Sequence, residues 1–162
     1  MWYGKERTGT NHRSDAMAHI HEHIDVAVGA FIVHHDRVLF ILHKALKRWL
    51  PVGGHMELNE DPIQALEREI REECGLTVEI LGDRPTFVSP GTTFLQRPRF
   101  LDIHDISPTH RHIGIMYVAR AQSDAVTLAT EEHDAIRWFS REELSDPTYA
   151  IAPALQYYAR TA

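Results

Sequence analysis

The sequence predicts an α/β domain on three observations. Two runs rich in β-branched residues, Ile24–His34 and Arg37–His43, flank a His35-Asp36 turn and read as a strand pair. The stretch from Asp61 to Gly75 is framed as a helix. Alternating apolar runs then return at Arg99–Ile106, His112–Ala121 and Ala135–Phe139, before a closing helix read over Thr148–Ala162. Strands on both sides of a helix place the chain in the α/β class.

A chain of 162 residues with 43% hydrophobic and 25% charged residues fits one globular domain. Residues 1–18 are polar and unpatterned and read as a flexible N-terminal segment, leaving 19–162 as a single domain. His19, His21 and His23 alternate and would share one side of a strand, but a solvated segment is the preferred reading. The net charge of −6 comes without a basic stripe, which disfavours a polymeric nucleic-acid partner. Cys74 is the only cysteine, so no intrachain disulfide forms, as suits a reducing cytoplasm. No apolar run is long enough to span a membrane, and the N-terminus lacks a signal-peptide core. A cytoplasmic protein is expected.

The central helix carries the most information. Asp61 suits its N-cap, Pro62 its first turn and Gly75 the position past its end. Ile63, Leu66, Ile70 and Cys74 recur at three- and four-residue steps and form the apolar face, where Cys74 packs. Glu69, Glu72 and Glu73 share another face and repel one another unless a divalent cation neutralises them. Hard oxygen ligands suit Mg²⁺ or Mn²⁺ and point to metal-assisted phosphate chemistry. For the helix alone, a solvated acidic face paired with Arg68 and Arg71 is the stronger alternative.

Around the helix, Lys44–Arg48 reads as a basic link and Trp49–Gly54 as the approach to the helix. Trp49 walls a site or packs at its rim. Leu76–Leu81 reads as a short strand and Arg84–Pro98 as a long loop in which Phe94 and Gln96 could meet a base or sugar. His104, His110 and His112 lie at or beside a turn read at Ser107–Arg111. They are substrate-binding candidates, or plain strand-edge histidines. Gln122–Asp134 is a polar loop holding Glu131 and Glu132. Ser140 with Glu143 forms a capping box for a short helix that Pro147 ends.

The spacing of the whole stretch decides between the readings of the glutamates. Gly54, five residues, Glu60, seven residues, Arg68-Glu69-Ile70-Arg71-Glu72-Glu73-Cys74-Gly75-Leu76 resembles the Nudix box at every fixed position. A chance match in a chain this long lies well below about one in a million. The resemblance covers roughly Ile24 to Leu144 and implies an α/β/α sandwich with a mixed, partly antiparallel sheet. It further implies hydrolysis of a diphosphate bond in a nucleoside diphosphate-linked small molecule, with Mg²⁺, or Mn²⁺ in its place. Glu69, Glu72, Glu73 and the carbonyl of Gly53 would hold the metal, and Glu69 and Glu73 would be catalytic, with Glu69 acting on both metal and water. Arg68 and Glu60 would form an ion pair, and Gly54 and Gly75 would set backbone shape. Glu131 or Glu132 would add an acid, and Lys44 would meet an outer phosphate.

Substrate signals are thinner. The window in which many dinucleoside polyphosphate hydrolases carry a tyrosine holds Thr92, Thr93 and Phe94. Pro90 falls one position short of the proline frequent in ADP-ribose hydrolases. A nucleoside triphosphate releasing the monophosphate is expected ahead of ADP-ribose or a nucleotide sugar. The rivals are a non-catalytic nucleotide-sensing module, a histidine-rich metal carrier and a prenyl diphosphate isomerase. A homodimer is common in the family resembled.

Overall fold

The computed structural model describes residues 23–162. The expected flexible segment 1–18 and the alternation at His19 and His21 lie outside them. An eight-stranded sheet forms the middle layer. Strand β1 (Ile24–His34) turns through His35, at φ 54°, into β2 (Arg37–His43). Strand β3 (Arg48–Leu50) pairs with the end of β2. Strand β4 (Val52–His55) runs antiparallel to β1, from Ala27 opposite His55 to Ala30 opposite Val52. Helix α1 (Pro62–Glu73) follows, then β5 (Val78–Leu81), β6 (Phe100–Ser107), β7 (His110–Ala121) and β8 (His133–Ser140). Helix α2 (Pro153–Thr161) closes the fold. Strand β7 runs parallel to β1, from Ile24 opposite Arg111 to Val33 opposite Arg120, while β5 and β6 meet β7 antiparallel. Strand β8 meets β2 antiparallel. The sheet is therefore mixed.

Alternation along β1 supplies both faces. Val28, Ala30 and Ile32 bury in one cluster with Leu66 and Ile70 of α1 and with Cys74, which caps its end. Phe31 belongs to a second core with Phe40, Phe139, Leu144, Ile151 and Ala159, on the α2 side. The result is the α/β/α sandwich. No helix among the described residues is long and apolar enough to cross a membrane.

Helix α1 begins where its capping predicts. Asp61 Oδ1 accepts the amides of Ile63 and Gln64 at 2.8 and 3.0 Å, and Gln64 Oε1 accepts the Asp61 amide at 2.9 Å. The Cys74 and Gly75 amides both donate to the Ile70 carbonyl at its end. Cys74 is fully buried, and burial pushes its thiol up to about 11, as a packing residue requires. Ile63 is only partly covered, and Ala65 is buried instead.

Two expectations fail. The segment read as a basic link and approach contains β3 and β4, both too short to show a period of their own. The closing helix starts at Pro153, not Thr148. Pro147–Tyr149 forms a separate 3-10 turn, Ala150 is left-handed at φ 49°, and Pro153 bars its predecessor from helical geometry. The Ser140–Glu143 box is present, each side chain bonding the other's amide, above a 3-10 turn at Glu143–Ser145.

Candidate active site

Glu69 and Glu73 stand one turn apart on α1, directly against the glycine pair of β4. The Gly53 amide donates to Glu73 Oε2 at 2.7 Å. Gly53 adopts φ 149°, and a Cβ there would fall 2.2 Å from the Val28 carbonyl oxygen, so only glycine lets β4 approach β1 this closely. A Cβ at Gly54 would fall 2.4 Å from Glu69 Oε1. The glycines thus make room for backbone on one side and a carboxylate on the other.

Arg68 ties this corner together. Its Nε and Nη2 grip both Glu60 oxygens at 2.8 and 3.0 Å, its Nη1 reaches Glu69 Oε1 at 2.7 Å, and Nη2 also donates to the His55 carbonyl at 3.0 Å. The fork braces the segment between β4 and α1. Arg68 holds Glu60 below the usual carboxylate range. Glu69 is raised, because burial outweighs the guanidinium. Glu72 is largely exposed, 3.4 Å from Arg68.

Glu73 is the anomalous group. Only 4% exposed, it is pushed up to about 8 by burial, the Gly53 amide compensating only in part, with Glu69, Glu132 and Glu72 adding repulsion. His133 Nε2 lies 2.8 Å from Glu73 Oε1 but without the alignment of a hydrogen bond, so neither ring nitrogen has a hydrogen-bond partner among the described residues. Burial also lowers the His133 pKa. The ligand atoms of Glu73, Glu132 and His133 lie within 4.8 Å of one another. Acceptor oxygens in excess of positive charge, beside an orphaned buried imidazole, fit a divalent cation.

The NUDIX domain family model matches residues 23–160. The chain belongs to the NUDIX family. A NUDIX-family hydrolase from Clostridium perfringens shares 32% identity and a TM-score of 0.74, covering 85% of this chain and 94% of that one. A MutT NUDIX hydrolase from Burkholderia pseudomallei shares 25% identity and a TM-score of 0.64, covering 86% and 98%. The Lactococcus lactis subsp. cremoris protein called "Probable DHNTP pyrophosphohydrolase" is 32% identical over 63 residues, 39% of this chain and 38% of that protein. That last likeness spans well under half of either chain. By family the chain is a Nudix hydrolase.

Within this Nudix chain, the site candidates part company. Of the loop pair, Glu132 joins Glu73, whereas the Glu131 carbonyl faces Lys44. Glu69 and Glu72 lie outside the Glu73–Glu132–His133 group, because Arg68 draws Glu69 aside and Glu72 turns toward solvent. The Lys44 ammonium donates to the Thr130 carbonyl at 2.6 Å and fastens the loop before Glu132. Trp49 packs edge-on to Phe139 with centroids 5.0 Å apart, in the α2-side core. His112 faces His55 rather than the glutamates, and burial and the neighbouring imidazoles hold it below the usual histidine range. Gly75, at φ 67°, ends α1. His133 was not singled out from the sequence; its one signal is that it directly follows Glu131-Glu132.

Proposed function

We propose that this Nudix chain hydrolyses a diphosphate bond of a nucleoside triphosphate, releasing the monophosphate, with Mg²⁺ or Mn²⁺ as its metal. The observation that carries this reading is the buried Glu73 carboxyl between the Gly53 amide and His133, with Glu132 beside it. Glu73, Glu69, Glu72 and the Gly53 carbonyl would hold the cation, with Glu132 beside Glu73. The bound cation would polarise a phosphoryl oxygen and acidify water.

The chain's own groups then divide the work. Glu69 takes the proton of the attacking water; burial raises its pKa above the ordinary carboxylate value despite the Arg68 contact, which strengthens it as a base. Arg68 positions Glu69 through the 2.7 Å contact while anchoring the loop through Glu60. The glycine strand keeps side chains away from both carboxylates. The partial likeness to a protein described as a pyrophosphohydrolase supports attack on a phosphoric anhydride.

A hydrolysis screen over nucleoside triphosphates, oxidised nucleotides, ADP-ribose, nucleotide sugars and dinucleoside polyphosphates tests it. Monophosphate and pyrophosphate should form from a triphosphate, cease in chelator and resume with Mg²⁺ or Mn²⁺. Turnover that persists in chelator refutes the metal, a different substrate class refutes the triphosphate, and nucleotide binding without turnover marks a sensing module.

A further inference from the structure

A second group of metal-ligating side chains sits on β1, β4 and β7, apart from the Glu73–Glu132–His133 group. Asp25 lies opposite His112 across the parallel pair β1–β7, and His55 lies opposite Ala27 across β1–β4. Three strands therefore deliver Asp25, His55 and His112 to one place, and their ligand atoms fall within 4.8 Å of one another. The two Nε2 atoms are 3.1 Å apart, and Asp25 Oδ2 is 3.8 Å from the Nε2 of His55.

Those separations carry chemical meaning. Two imidazole nitrogens bound to one ion at about 2.0–2.1 Å stand roughly 2.9–3.4 Å apart for ordinary coordination angles. The observed 3.1 Å lies inside that interval, with the ring planes crossed at 80°, whereas Asp25 Oδ2, 3.8 Å from His55 Nε2, closes in by roughly 0.4 Å to share the ion. We propose that Asp25, His55 and His112 form a second cation site, distinct from the box glutamates, that takes a borderline transition ion of the Zn²⁺ type.

Two imidazoles and one carboxylate select such an ion over Mg²⁺, which prefers oxygen donors throughout. His110 Nε2 stands 3.2 Å from the same Asp25 Oδ2, nearer than His55 does, and joins the cluster as a third imidazole. His104, hydrogen-bonded to Asp102 at 2.8 Å, flanks His112 with ring centroids 5.8 Å apart. Three protein ligands leave a coordination position open. Asp25 and His55 also line a recess with Val26, Met56, Pro62 and Ile115. Because the ligands come from sheet strands rather than loops, their backbone positions are set before an ion arrives, and only the side chains adjust.

Equilibrium dialysis with Zn²⁺, and the visible absorption of Co²⁺, test the site in the full chain with Mg²⁺ in excess. At least one tight equivalent should bind to the parent, and one should persist in Glu73→Gln/His133→Leu, which removes two of the three donors of the other group. His112→Ala and Asp25→Asn should weaken it about tenfold or more. His55→Ala should do the same, and since the His55 side chain is mostly exposed, it supplies a variant whose folding is not in question. A triple alanine variant at His19, His21 and His23 should keep the ion. Parent-like binding by all three site variants, loss in the triple variant alone, or no tight equivalent in the parent would overturn the proposal. The last outcome would leave an imidazole–imidazole hydrogen bond only.

Discussion

The amide of Gly53 donates to Oε2 of Glu73 at 2.7 Å, across twenty residues of chain. One hydrogen bond offsets only part of the desolvation of a carboxylate that is 4% exposed, and the group rises to about 8. The fold therefore holds an acid that favours its proton at neutrality unless positive charge arrives. Glu132, Glu69 and Glu72 nearby sharpen the same demand.

Replacing Glu73 by Gln keeps the acceptor for the Gly53 amide and removes only the charge. Turnover should fall on the order of 100-fold or more, since even partners that merely orient a metal ligand cost 10–100-fold. The melting temperature in chelator should not fall, because the neutral amide suits the buried position at least as well. Steady-state rates and thermal melts check both halves. Parent-like turnover would remove Glu73 from the chemistry.

The two glycines of β4 should fail differently. A Cβ at position 53 meets the Val28 carbonyl oxygen at 2.2 Å, backbone against backbone at positive φ, so Gly53→Ala should lower stability by about 1–3 kcal/mol or more. A Cβ at position 54 meets the Glu69 carboxylate at 2.4 Å, the movable end of a side chain. Gly54→Ala should therefore unfold close to the parent in urea yet lose activity as Glu69 shifts. Equal stability losses in the two variants would contradict this division.

What the sequence disclosed was what local chemistry controls. Asp61, Pro62 and Gly75 mark α1 because capping and helix breaking act within one turn. The β-branched runs mark β1 and β2. Strands β3 and β4 were hidden because Arg48–Leu50 and the glycine-bearing Val52–His55 become strands only when β2 and β1 offer them edges. In the site, the Arg68–Glu60 pair was expected from the resemblance to the Nudix box, not from helical spacing, and the two side chains do meet. The approach of His133 to Glu73 was not expected. It depends on β8 lying along β2 and on Lys44 fastening the preceding loop, both long-range pairings. Trp49 was ambiguous for the same reason, since its aromatic partners Phe139 and Tyr149 are distant in the chain.

Stability should depend on pH with a defined sign. The Glu73 carboxyl rises from an ordinary 4.5 to about 8, so across that window the folded chain keeps a proton that the unfolded chain has released. Stability then falls as pH rises. His133, lowered from 6.5, gives the opposite slope, but only below that value. Between pH 6.5 and 8 the Glu73 slope should dominate, and melts in chelator should shift downward as pH increases. Added Mg²⁺ binds the ionised form and should flatten the slope. A melting temperature that climbs with pH in chelator would contradict a raised carboxyl.

His133 should tilt the choice of metal. Among the described residues its two buried ring nitrogens lack hydrogen-bond partners, and one unsatisfied polar group in an interior costs about 1–3 kcal/mol. An imidazole beside Glu73 and Glu132 is a better ligand for Mn²⁺ than for Mg²⁺. Half-maximal activity should then need less Mn²⁺ than Mg²⁺. His133→Leu should raise the Mn²⁺ requirement about tenfold and leave the Mg²⁺ requirement nearly unchanged. The same variant should melt above the parent in chelator, because an unsatisfied polar ring is replaced by an apolar side chain. A lower melting temperature with an unaltered Mn²⁺ requirement would make His133 a packing residue and leave Glu132 as the loop's sole contribution beside Glu73.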